Sequence, residues 1–154
     1  MLEDPGVRVA RLAKERKLAD LAAVHQQRLI EDLAHARRDA NLYYLAGIFN
    51  RILGGFHRST DPDFHIHLKI DDGRIYFLRD YSILQVLLFE PAAVRVQPPP
   101  PAGTKPERRF TIYPGDGISF DLIEDTPAGT PEAPAQDAEA FCEMVLALAA
   151  GVDG

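Results

Sequence analysis

The stretch from Asp63 to Arg74, Asp-Phe-His-Ile-His-Leu-Lys-Ile-Asp-Asp-Gly-Arg, holds the side chains best suited to chemistry. His65 and His67 are one residue apart, and on a strand that spacing turns both imidazoles to one face, where they could converge on a metal ion. His57, Asp61, Asp63 or Asp80 could supply a third ligand. Lys69 shares the histidine face, and its ammonium would oppose a cation there. The same residues also form a complete β-hairpin without any ion. Asp72-Gly73 is a strong two-residue turn signal, and pairing across it sets Asp71 opposite Arg74, Ile70 opposite Ile75, Lys69 opposite Tyr76 and Leu68 opposite Phe77. That register places His67 near Leu78 and His65 near Asp80, a surface histidine–carboxylate pair. The expectation is a structural hairpin with exposed histidines and no metal.

The other reactive residue types do not converge. Cys142 falls among Phe141 and Met144, where a thiol serves as a small packing group. Ser59, Ser82 and Ser119 lack the G-x-S-x-G context of a nucleophile elbow. Gly115-Asp116-Gly117 suits a turn and is too short to cradle phosphate. Glu31, His35 and Asp39 share one helical face at steps of four, as a metal or proton-relay site could require, although the favoured reading is of solvated polar residues. No catalytic set emerges, so the reading is non-enzymatic and without a cofactor.

His65-Ile66-His67 with Asp71, followed by Tyr113-Pro-Gly-Asp116 and Pro127-Ala-Gly-Thr-Pro131-Glu132, resembles the two motifs of cupins. That resemblance implies a metal- or small-molecule-binding domain with His65 and His67 as ligands. Glu132 stands where the last histidine of the family would be, and the glycines flanking the first motif are absent. A helix closing an antiparallel sheet is also similar, in element order, to pleckstrin-homology-like domains.

Composition narrows the classes further. The chain has 154 residues, 46% hydrophobic and 26% charged, with one cysteine and a net charge of −6. It is large enough for a core. The lone cysteine excludes an internal disulfide framework and fits a reducing compartment. The N-terminal residues lack the apolar run of a signal peptide, and no stretch reaches the roughly 20 apolar residues of a membrane span; the expected location is cytoplasmic. Residues 1–60 hold ten Lys/Arg against seven Asp/Glu, whereas residues 61–154 hold seven against sixteen. The acidic second half would repel a phosphate backbone, and Asp20, Glu31, Asp32 and Asp39 interrupt the bases of the first half. Neither nucleic acid nor a membrane surface is an expected partner.

The elements follow from pattern. Asp4-Pro5 starts a helix, Val7–Ala46 contains neither Gly nor Pro, and Gly54-Gly55 supplies the residue type that a helix end favours. Leu18, Ala22, His25, Leu29, Leu33, Ala36, Ala40, Tyr43 and Gly47 recur at steps of three or four as an apolar stripe. From Leu42 to Phe56 little polar surface remains, as in a buried helix. A helix of about 45 residues is on the order of 70 Å long, against a radius of gyration of roughly 15 Å for a globule of this chain length. It therefore either folds back near His25-Gln26-Gln27-Arg28 or packs on another chain.

Strands are expected over Phe64–Ile70, the segment after Gly73, Ile83–Phe89, Val94–Gln97, Arg109–Tyr113 and Ile118–Ile123. A polyproline connection fills Pro98–Pro106, and Thr126–Ala135 forms a loop. Asp137 caps a last helix with Phe141, Met144, Val145 and Leu148 on one face and Gly151 as its stop. The expected fold is α+β: a long N-terminal helix or helical hairpin, an antiparallel sheet of about five to six strands, and a C-terminal helix packed on the sheet. Residues 1–56 form the helical segment and 57–154 the β domain.

The functional expectation is a protein-interaction module, an adaptor, assembly subunit or chaperone. It would bind a protein partner or a second copy as a dimer through Leu18, Leu29, Leu33, Ala36 and Ala40. Small acidic secretion chaperones are similar in size and charge. The alternative is the cupin-like domain.

Overall fold

The computed structural model describes residues 3–98 and 106–152. The polyproline connection expected at Pro98–Pro106 lies, apart from its two end residues, outside them. Pro5 opens helix α1 (Pro5–Ser59) at the position where its missing N–H costs no hydrogen bond. The Arg8 N–H closes the first turn on the Asp4 carbonyl at 3.0 Å.

Of the two arrangements expected for this segment, a long helix or a helical hairpin, α1 is the long helix: it does not fold back at His25-Gln26-Gln27-Arg28, because Gln and Arg are good helix formers and nothing there breaks the hydrogen-bond ladder. Nor does it stop at Gly54-Gly55. Leu53 is buried and Ile52 and Phe56 pack against the core on either side of the glycines, so tertiary contact overrides their low propensity. The helix ends one turn later. There the Ser59 and Thr60 hydroxyls donate to the Gly55 and Phe56 carbonyls, at 3.0 and 2.9 Å.

The chain divides into two compact units, Met1–Ala36 and Arg37–Gly154. The boundary expected at 56/57 marks the change from helical to strand pattern. The observed division falls within α1, because the core side chains begin at Leu42. In the first unit, Arg11 pairs with Glu3 (3.2 Å) and Glu15 (3.3 Å). Every residue from Glu3 to Leu33 is exposed.

The second unit is α+β. Its sheet has seven strands rather than five or six, in the order β1 to β7, every neighbour antiparallel. They are β1 (His67–Asp71), β2 (Arg74–Arg79), β3 (Ser82–Phe89), β4 (Ala93–Gln97), β5 (Arg108–Pro114), β6 (Phe120–Glu124) and β7 (Gln136–Asp137). The additional strand is β7, two residues pairing with Asp121 and Leu122. The β1–β2 register is the expected one. Asp72 (φ 44°) and Gly73 (φ 73°) form its turn, the left-handed pair that matches strand twist.

Alternation assigns Ile75, Phe77, Leu87, Phe89, Val94, Val96, Phe110, Ile112 and Leu122 to one face, all buried in a single core. Residues from Leu42 onward in α1 and helix α2 (Ala138–Ala149) cover that face. Phe49 meets Phe77 edge to face at 4.9 Å and Phe110 meets Phe141 at 5.0 Å. Arg51 of α1 pairs with Glu139 of α2 at 3.6 Å. Asp137 caps α2 by accepting from the Ala140 N–H (2.7 Å), as its position before the apolar face implies. Gly151, at φ 78°, follows the helix end.

The opposite face is open and held by charge. Arg95 and Arg109 are directly opposed across β4 and β5, a repulsive pairing that carboxylates offset. Glu90 lies 3.5 Å from Arg95 and 3.3 Å from Arg109, while Glu107 and Asp125 extend the chain at 2.9 and 2.6 Å. On the covered side, Arg108 grips Glu124 through two parallel bonds of 2.7 and 2.8 Å, a geometry that holds the Glu124 carboxyl below its usual range.

Candidate functional site

The stripe residues are where helical spacing puts them, on one face of α1, and none is covered. Leu18 is 66%, Leu29 50% and Leu33 65% exposed, and Ala36 and Ala40 are exposed beyond them. In the second unit Tyr43, too, is 62% exposed. The buried residues Leu42, Leu45, Ala46, Phe49 and Leu53 take the other side of the helix. The stripe is thus not the face that α1 uses for its own core.

Sequence reasoning missed part of this surface. Leu21 flanks the stripe at 57% exposure, while Leu12, Ile30 and Val24 are exposed on other sides. Its signal was present in the spacing of Leu18 to Leu21 by three residues. It was masked because apolar side chains recur almost all round this helix.

A groove of about 620 Å³ lies within the second unit beside the same helix. Ala40, Tyr43 and Tyr44 form one wall; Pro91, Ile118 and Phe120 belong to the opposite rim. Asn41 ties the rim to the helix by donating to the Pro91 carbonyl at 3.0 Å. Three segments distant in sequence make the groove, so no local pattern announces it. A second recess of about 440 Å³ on the open sheet face is lined by Arg74, Tyr76, Ile83, Val86, Gln97 and Glu107.

The histidines are arranged differently from the expectation. Pro62–Phe64 forms a single 3-10 turn, so β1 starts only at His67 and His65 never enters the strand. The cause is Pro62, which favours a turn and lacks a ladder donor. His65 therefore does not pair with Asp80. Its ring stacks on His57 with centroids 4.2 Å apart, and its Nε2–H donates to the His57 carbonyl at 3.1 Å. His65 is half-buried rather than exposed.

The Ile66 N–H donates to His57 Nε2 at 3.1 Å, and the Ile66 carbonyl lies 3.0 Å from the same nitrogen. One nitrogen cannot accept and donate at once, so the two contacts belong to different proton placements. Burial, then the neighbouring His65, lowers the His57 pKa below its ordinary value, which favours a neutral ring. His67 lies farther off, 6.3 Å between centroids. Both His57 and His65 thus use Nε2 on backbone. Among the described residues no group of three or more His, Cys, Asp or Glu is arranged to hold a metal ion.

Cys142 is buried in α2 with its Sγ 4.0 Å from the Leu45 carbonyl, and burial pushes its thiol pKa up, the state of a packing group rather than a nucleophile. Glu31, His35 and Asp39 are spread along the helix, and Asp39 pairs with Arg38 at 3.1 Å. No helix among the described residues is long and apolar enough to cross a membrane. No protein-family model matches the chain, and neither a curated protein nor a solved structure matches it.

Proposed function

We propose that the chain is a protein-interaction module, an adaptor, assembly subunit or chaperone. Its docking element is the α1 face carrying Leu18, Leu29, Leu33, Ala36 and Ala40. The observation that supports this reading is the half to two-thirds exposure of three leucines on one helical face. Burying one leucine is worth roughly 1.5 to 3 kcal/mol, and contiguous apolar surface left in water marks a contact site. Helices draw most of their stability from packing, yet residues 3–33 have no buried side chain. A lone cysteine, already buried, fits a reducing compartment such as the cytoplasm.

The test is a photo-crosslinking side chain placed at Leu29 in the native cell, with one at Asp121 on β6 as control. The expected result is a discrete protein adduct from Leu29 and none from Asp121. If Leu18, Leu29 and Leu33 all give no protein adduct, the docking role is excluded.

A further inference from the structure

Resting on that reading of α1, we propose that the face is occupied by a second copy of α1, antiparallel, with the two-fold axis beside Ile30 and Glu31. Reversing the stripe about this point lays it on itself. Leu29 meets Leu33 of the other copy and His25 meets Ala36. The larger ring falls on an alanine. A parallel pair would stack His25 on His25.

The charges at the edge of the stripe favour the same arrangement. Arg28 and Asp32 lie one turn apart on a single flank of the stripe, both exposed. Among the described residues neither forms an ion pair, although Arg11–Glu15 in the same helix does. Both charges are therefore available to a partner. In the antiparallel dimer Arg28 of each copy faces Asp32 of the other, twice by symmetry, as a self-complementary two-fold contact requires.

The experiment measures molecular mass in solution over a concentration series for the full chain, with circular dichroism as a check on helix content. The wild-type chain is expected to be a dimer, and Leu29→Asp with Leu33→Asp a folded monomer. Arg28→Asp and Asp32→Arg, each alone, oppose like charges at both contacts and weaken the dimer by about tenfold or more. Mixed in equal amounts, the two variants form mixed dimers in which an acid again faces a base at both contacts, and dimers of wild-type affinity return. Both substitutions lie on exposed helix and leave the core intact.

A wild-type monomer at high micromolar concentration overturns the proposal. If Leu29 nevertheless crosslinks to a different protein in the cell, the docking role stands and the second copy is wrong. A wild-type dimer that the mixture does not restore overturns the antiparallel pairing. A dimer untouched by the double leucine change removes α1 as the docking element as well.

Discussion

Val24 in the first unit and Leu42 in the second both belong to α1, yet Val24 is 52% exposed and Leu42 1%. Their side chains differ by one methylene, and both sit in unbroken helix. What differs is the surroundings. Leu42 shares a core with Phe77, Phe110 and Phe141, while every residue from Glu3 to Leu33 is exposed. Helix propensity is a local property and carries α1 through both segments, whereas burial is a tertiary one and stops at Leu42. The comparison separates the part of the helix that holds the fold from the part free to hold something else.

The largest effect should come from truncating the buried part. Phe49→Ala removes a fully buried ring that packs edge to face on Phe77, and it should lower stability by roughly 3 to 5 kcal/mol in urea unfolding. Val24→Ala should stay within about 0.5 kcal/mol, as for an exposed substitution. A comparable loss from Val24→Ala would mean that this side of the first unit is covered in solution, and the contrast would dissolve.

Two glycines sharpen the boundary between the segments and the sheet. Gly55 lies inside helical backbone, and a Cβ there would approach nothing nearer than the Arg58 guanidinium at 3.9 Å. Gly55→Ala should therefore raise stability by about 0.5 to 1 kcal/mol. Gly73 has φ 73°, and its Cβ would meet the Arg38 guanidinium at 3.0 Å, so Gly73→Ala should cost about 1 to 2 kcal/mol. Thermal unfolding of the pair measures both. If Gly55→Ala were destabilising, α1 would end at the glycines after all.

These substitutions also show what could be read in advance. The β1–β2 register was legible because Asp72-Gly73 dictates a turn whose geometry fixes every pair beyond it, and the α2 start was legible because Asp137 precedes an apolar helical face. The end of α1 was not, since Leu53 and Phe56 hold Gly54 and Gly55 in helix through contacts with residues far along the chain. The β7 strand, at two residues, is too short to carry a period. The Glu90, Arg95 and Arg109 chain depends on which strands pair. Of the proposed docking face, the spacing gave Leu18, Leu29, Leu33, Ala36 and Ala40, whereas the adjoining groove needed Pro91 and Ile118 to be brought beside Tyr43.

The smallest expected effect concerns the last turn of α1, where the buried segment joins the sheet. His57 is held below its ordinary pKa by burial and by His65, so the folded chain keeps it neutral where the unfolded chain does not. As pH falls through about 6.5, the unfolded state takes the proton first. The stability present above that pH is then lost progressively until the folded-state pKa is reached. Protonation also removes the acceptor that the Ile66 N–H uses, leaving Nε2–H to turn to the Ile66 carbonyl. Carboxylates act in a different window. Glu124, held low by Arg108, and Asp125, held low by Thr111 and then Arg109, contribute stability that is lost only as pH falls through their own depressed pKa values, on the acid side of the ordinary carboxylate range. The unfolding midpoint of the wild-type chain should accordingly fall between about pH 7 and 5, and His57→Gln, which keeps an acceptor but does not titrate, should flatten that slope while leaving the acid limb unchanged. A slope that survives in His57→Gln would assign the titration to another group and leave the histidine stack without a part in joining α1 to the sheet.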